Sequence, residues 1–238
     1  MSGHSKWSQI KRQKGVADVK RGAVFSKLIK TVILAAKTGA NPELNPSLKM
    51  AIERARQANM PKENIDRAIA KASGAEGVQL QEVLFEAYGP AGVAFLIQAV
   101  TDNNNRTTAE VRHVLRDYDG KLAESGSVSY LFAQKGWLML EVPADKVEEA
   151  EMDIIDAGAD DFDAEDGQIH IYTHPKELEK VRKFLEEKGY TIQEHDLVWE
   201  PNTTIQVDQT TGEKLITISE KLEELEDVTK VAANFDII

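Results

Sequence analysis

Between Asp18 and Gly39 the apolar residues Phe25, Leu28, Ile29, Val32, Ala35 and Ala36 recur at helical spacing and form one stripe. Asp18 suits the start of this predicted helix and Gly39 its stop. At about 100° per residue, Lys20, Lys27, Lys30 and Lys37 project from the side opposite the stripe. Asn45-Pro46 offers an N-cap followed by proline at the first helical position, and Leu48, Ala51, Ile52 and Ala55 continue as a narrow seam. A third helix begins at Pro61 with Ile65, Ala68, Ile69 and Ala72 inward, and ends before Gly74. The pattern predicts a small three-helix bundle. Ahead of it, Ser2 to Val16 has no apolar period and reads as an arm.

Further along, the pattern changes to strands. Val83 to Tyr88 and Val93 to Val100 flank the turn Gly89-Pro90-Ala91-Gly92, which predicts a hairpin. A helix follows with Val111, Val114, Leu115 and Tyr118 inward. From Trp137 the predicted order is strand 137–142, helix 146–157, strand 160–164, strand 168–173, helix 176–188 and strand 190–199. That is the βαββαβ order of a ferredoxin-like unit. What remains is strand 203–208, a turn at Thr211-Gly212, helix 213–226 and a strand over 228–237. This piece is too small to close a core alone, and it completes a unit with the earlier hairpin and helix. The expected fold is α+β: an N-terminal three-helix bundle followed by two ferredoxin-like α+β domains, one inserted in the other. The boundaries are 1–77, then 78–132 plus 201–238, and 133–200.

The formal charge of −11 argues against a polyanionic partner, and its distribution reverses that inference. Residues 1–75 hold 15 Lys and Arg against 5 Asp and Glu, a net of +10, whereas 76–238 hold 14 against 35, a net of −21. Within the second part, residues 143–200 carry 6 bases and 18 acids, a net of −12. Such asymmetry points to parts with different partners: nucleic acid for the basic part, basic proteins for the acidic one. In the arm and first helix, Lys6, Lys11, Arg12, Lys14, Lys20, Arg21, Lys27 and Lys30 are the expected phosphate contacts. Trp7 is placed to stack on an exposed base or to anchor the arm. A solvated basic tail is the competing account.

Catalytic signatures are missing. There is no Walker loop, no strand-linked dinucleotide fingerprint and no G-x-S-x-G elbow, and the absence of cysteine removes thiolate metal sites and thiol nucleophiles. His170 and His174 share a face of a predicted strand, but no third ligand is near in sequence, so no metal is expected. The run from Asp161 to Gly167 fails the calcium-loop spacing, with glycine seventh rather than sixth and Tyr172 at the twelfth place; it reads as an acidic hairpin turn. Asn103 to Asn105 fit helix caps. Arg106 sits at the wrong end of a helix for a cation, which calls for a bound anion or a carboxylate partner. No segment reads as a spanning helix or a secretory signal, so the expectation is a cytoplasmic, non-enzymatic protein.

Several local motifs taken together resemble the YebC/PmpR family. They are Met1 to Trp7, Lys20-Arg21-Gly22, Asn59-Met60-Pro61-Lys62 with Asn64-Ile65 and Arg67-Ala68-Ile69, Tyr88-Gly89-Pro90, Thr101-Asp102-Asn103 with Asn105-Arg106-Thr107, and Gly126-Ser127-Val128. The resemblance implies three domains around a cleft, no cofactor, and nucleic-acid binding in gene regulation. Bacterial members of that family are described as transcriptional regulators, and a mitochondrial relative as a translational activator of cytochrome c oxidase. Asn104 stands where the family commonly has a base, and Arg12-Gln13 where it often has His-Arg. The expected function is a DNA-binding transcriptional regulator. The alternative is a ribosome-associated factor that contacts ribosomal RNA.

Overall fold

The computed structural model describes residues 21–73, 79–165 and 167–238. Its first three helices are α1 (Arg21–Ala36), α2 (Pro46–Gln57) and α3 (Lys62–Ser73). Asn45 caps α2: its Oδ1 accepts from the Leu48 amide at 3.1 Å, while its Nδ2 donates to the carbonyls of Ala35 and Gly39 at 2.8 Å each. One side chain therefore closes the end of α1 and opens α2. The end of α2 is a Schellman motif, with Asn59 at a φ of 60°, the Met60 amide on the Ala55 carbonyl and the Asn59 amide on that of Arg56. Asparagine tolerates that left-handed backbone, buried Met60 seals the turn, and Pro61 cannot continue the helix, which explains Asn59-Met60-Pro61 physically. The bundle core joins Val32, Ile33, Leu48, Ile52 and Ile65 to Leu80 and Val100 from beyond the bundle.

Next come β1 (Gln81–Tyr88), β2 (Ala94–Thr101), α4 (Asn104–Asp117) and the two-residue β3 (Lys121–Leu122). The chain then forms β4 (Phe132–Glu141), α5 (Val147–Ala157), β5 (Asp161–Glu165), β6 (Gln168–Thr173), α6 (Leu178–Glu187) and β7 (Ile192–Pro201). The four strands make an antiparallel sheet ordered β5-β6-β4-β7, the ferredoxin-like arrangement, and with α5 and α6 they enclose a core of Leu138, Leu140, Ile154, Ile169, Ile171, Val181 and Leu185. β4 starts five residues before the predicted strand because Phe132 to Gly136 continue the ladder against β7. The run from Asp161 forms β5, which turns through Gly167 into β6; Asp166 lies outside the described residues.

The chain ends with β8 (Ile205–Val207), α7 (Gln209–Glu224), β9 (Val228–Ala233) and β10 (Phe235–Ile237). β9 pairs antiparallel with β2, giving the order β3-β1-β2-β9. This second sheet thus has the strand directions of the first, reached by another chain path, with α4 and α7 contributing to its core. On its other face Ala94 and Leu96 pack with Val128, Phe132 and Trp199, so β2 is covered on both sides and its near-continuous apolar run is explained.

Two expectations fail in this region. Thr211-Gly212 is not a turn: Asp208 caps α7 by accepting from the Thr211 amide at 2.8 Å, and Gly212 lies in the first turn. Glycine is needed there for space, since a Cβ would fall 2.5 Å from Ile237 Cδ1. The single strand over 228–237 is two. Asn234 breaks it, accepting from the Ala94 amide through Oδ1 at 2.6 Å, and β10 crosses to pair in parallel with β8.

Candidate nucleic-acid interface

The basic residues of α1 can be followed individually. Lys6, Trp7, Lys11, Arg12, Lys14 and Lys20 lie outside the described residues; Arg21 opens α1, and its side chain is likewise outside them. Lys27 Nζ donates to the carbonyl of Glu223 at the end of α7. Lys30 Nζ bridges Glu226 Oε1 at 2.9 Å and Asp227 Oδ1 at 2.6 Å, while Lys37, just past the helix and exposed, donates to the Leu80 carbonyl at 2.8 Å. The side of α1 opposite its apolar stripe therefore faces the end of α7 and the turn before β9. At Lys27 and Lys30 it meets protein rather than open solvent.

Asp227 is the centre of this junction. Its side chain is 1% exposed and accepts from Lys30, from Arg106 Nη2 at 2.7 Å, from Thr107 Oγ1 at 2.6 Å and from Thr101 Oγ1 at 3.0 Å. Burial pushes the Asp227 carboxyl up, but the bonds from Lys30, Thr107, Arg106 and Thr101 outweigh it and hold the group well below the carboxylate range. Burial lowers the Lys27 ammonium, with Glu223 restoring part of its basicity; Lys30 is raised because its bonds to Asp227 and Glu226 exceed the cost of burial. Removing one member of such a buried cluster leaves uncompensated charge, typically a loss of ~3–5 kcal/mol.

Arg106 has its carboxylates within the chain, Asp227 and, at 3.0 Å, Asp102. Asn103 is the cap of α4, its Oδ1 accepting from the Arg106 amide at 3.1 Å. Thr101-Asp102-Asn103 and Arg106-Thr107 thus form one hydrogen-bonded unit that starts α4 and grips Asp227.

A second carboxylate joins all three parts of the molecule. Buried Asp196 on β7 accepts from Arg54 Nη1 of α2 at 3.0 Å and from Lys230 Nζ of β9 at 2.8 Å, while Lys230 also reaches the Leu197 carbonyl. Burial depresses the Lys230 ammonium, against the pull of Asp196. Beside it His195 Nε2 lies 3.2 Å from Glu53 Oε2, and Met50 packs on the core of the ferredoxin-like unit, so α2 covers the edge strand β7. A cleft of about 210 Å³ opens here, lined by Glu53, Arg56, Arg182, Glu186, Ile192 and His195. Arg182 is held by Glu179 at 2.9 Å and Glu186 at 3.0 Å, so the cleft is an ion-pair network.

A third buried carboxylate, Glu86, is marked by no pattern in the sequence. It accepts amide hydrogens from Gly126, Val128 and Ser129 at 2.7, 2.6 and 2.9 Å, and these bonds outweigh burial to lower its pKa. Tyr88 Oη donates to the Ser127 carbonyl at 3.0 Å, so Gly126-Ser127-Val128 is a backbone cradle for an internal anion. Among the described residues no three metal-type side chains cluster, and no helix is long and apolar enough to cross a membrane.

Two family models match the chain. One, described as the TACO1/YebC protein N-terminal domain, covers residues 5–75; the other, the TACO1/YebC second and third domain, covers 80–235. A relative from Aquifex aeolicus is 49% identical over 242 residues, spanning 100% of this chain and 96% of the relative. One from Dictyoglomus turgidum is 46% identical over 240 residues with the same coverage, and one from Thermotoga maritima 48% over 243 residues, with 100% and 94% covered. Each bears the name probable transcriptional regulatory protein. The crystal structure of a conserved hypothetical protein, Aq1575, from Aquifex aeolicus superposes with a TM-score of 0.89 at 46% identity, covering 98% of both chains.

Proposed function

The chain belongs to the TACO1/YebC family, and on that premise we propose that it is a non-enzymatic regulator of transcription, acting in the cytoplasm, that binds DNA through its basic N-terminal part. The observation that carries this reading is the segregation of charge, +10 in the first 75 residues against −21 in the rest. The names of the relatives support it. Because Lys27 and Lys30 hold α1 to the body of the protein, the phosphate contacts fall to Lys6, Lys11, Arg12, Lys14, Lys20 and Arg21, with Trp7 as a stacking group. Phosphate contacts carry no base readout, so sequence preference is modest. If these six cations each neutralise a phosphate, log affinity falls against log salt with a slope of about −5.

The test is crosslinking in cells followed by sequencing of both DNA and RNA. The reading predicts promoter DNA, lost when Lys11, Arg12 and Lys14 are replaced by Glu. Recovery of ribosomal RNA without DNA would replace it with the ribosome-associated alternative. Recovery of neither would reject nucleic-acid binding altogether.

A further inference from the structure

The acidic ferredoxin-like unit carries an exposed feature that its fold does not use. Six large apolar residues among those described are exposed: Leu44, Leu84, Tyr130, Met152, Ile155 and Ile238. Met152 and Ile155 are the pair that sits one turn apart on a helix, at 64% and 57% exposure on the outer side of α5. Neighbouring apolar side chains on a rigid element mark interaction surfaces more reliably than scattered ones. The core of the unit is served by the opposite side of α5, through Ala150, Ile154 and Ala157.

The surroundings restrict what fits. Exposed Glu148 and Glu149 lie one turn before the pair and exposed Asp156 beside it, in a segment whose net charge is −12. The glutamates also favour the helix start, but that does not account for the apolar pair. Of the lysines at hand, Lys188 is held by Asp153 at 2.7 Å, and Lys146 stands at the N-cap, a turn and a half before Met152, which leaves the face acidic. A nucleic acid or an anionic bilayer is repelled by this face. A second copy of it would set three carboxylates against three. A cationic polypeptide carrying apolar side chains meets both requirements at once.

We infer that the outer face of α5 is a docking site for a Lys- and Arg-rich amphipathic segment of a partner protein, whose apolar residue seats between Met152 and Ile155 while its bases meet Glu148, Glu149 and Asp156. The inference is independent of the nucleic-acid reading, which concerns the N-terminal part of the chain.

The test is titration of the isotope-labelled full chain with a synthetic amphipathic helix of Lys and Leu, followed by NMR. A control peptide has each Leu replaced by Gln. The expected result is a saturable shift centred on 148–156, with affinity about tenfold weaker for the control peptide and for the double variant Met152→Ser, Ile155→Ser. Both positions are exposed, so the variant should keep the parent thermal midpoint. Should it fail to fold, Glu149→Lys with Asp156→Lys serves, and must weaken binding by a similar factor. Shifts spread over all acidic surfaces, or equal affinity for the two peptides, would overturn the proposal in favour of unspecific charge attraction. Self-association of the chain that the double variant abolishes would overturn it in favour of a second copy.

Discussion

Helices α1 and α5 carry charge of opposite sign on the side away from their own cores, and they use it in opposite ways. Lys27 and Lys30 of α1 turn inward, onto Glu226, Asp227 and the carbonyl of Glu223. The acids Glu148, Glu149 and Asp156 of α5 face solvent. The pattern along each helix is alike, a polar face at helical spacing, and only the tertiary structure separates a cemented interface from a free surface. Charge in a sequence therefore identifies which side of a helix is not core. It does not identify what that side meets.

The comparison breaks most visibly at Asp227. Asp227→Ala should lower the unfolding free energy by ~3–5 kcal/mol in a urea titration, because partly buried Lys30 and the hydroxyls of Thr101 and Thr107 lose their acceptor. A loss below ~1 kcal/mol would mean that the junction is no stronger than a surface pair. The same carboxyl sets a pH dependence. Its folded pKa lies below the ordinary ~3.9, so its contribution is complete above about pH 4 and is lost as pH falls toward the folded value. The acid limb of a stability profile should accordingly be steeper in the parent than in Asp227→Ala.

A smaller effect is expected at Asn45, where Asn45→Ala removes a helix cap together with two donors to the end of α1; the expected loss is ~1–2 kcal/mol in thermal or urea unfolding. The smallest belongs to α5. Glu148→Gln with Glu149→Gln should lower stability by ~1 kcal/mol or less, since neither side chain supports the fold beyond its effect on the helix start. A cost near that of Asp227→Ala would erase the distinction between the two helices.

What was legible in the sequence was local. Asn45-Pro46 and Asn103 specify helix starts within four residues, and apolar periodicity located the bundle and the βαββαβ order. What distant segments decide was not legible. Lys30 meets Asp227 across 197 positions, and no spacing near either residue announces the pair. Asn234 breaks the last strand because Ala94 and Ile205 need its oxygens, and a glycine stands at 212 inside a helix because Ile237 fills the space beside it. Asp196 and Glu86 looked like two more acids in an acidic chain, and only the fold distinguishes a buried hub from a solvated carboxylate.

The central proposal is that Lys27 and Lys30 of α1 hold the molecule together while the cations ahead of them, from Lys6 to Arg21, meet nucleic acid. Fluorescence anisotropy against salt on a DNA duplex, with unfolding measured on the same proteins, tests it directly. Replacing Lys6, Lys11, Arg12 and Lys14 by Gln should flatten the log–log salt slope by about 3–4 and leave stability intact, whereas Lys27→Met with Lys30→Met should destabilise the fold and leave the slope unchanged. A slope that flattens with the α1 pair and not with the arm would contradict the account.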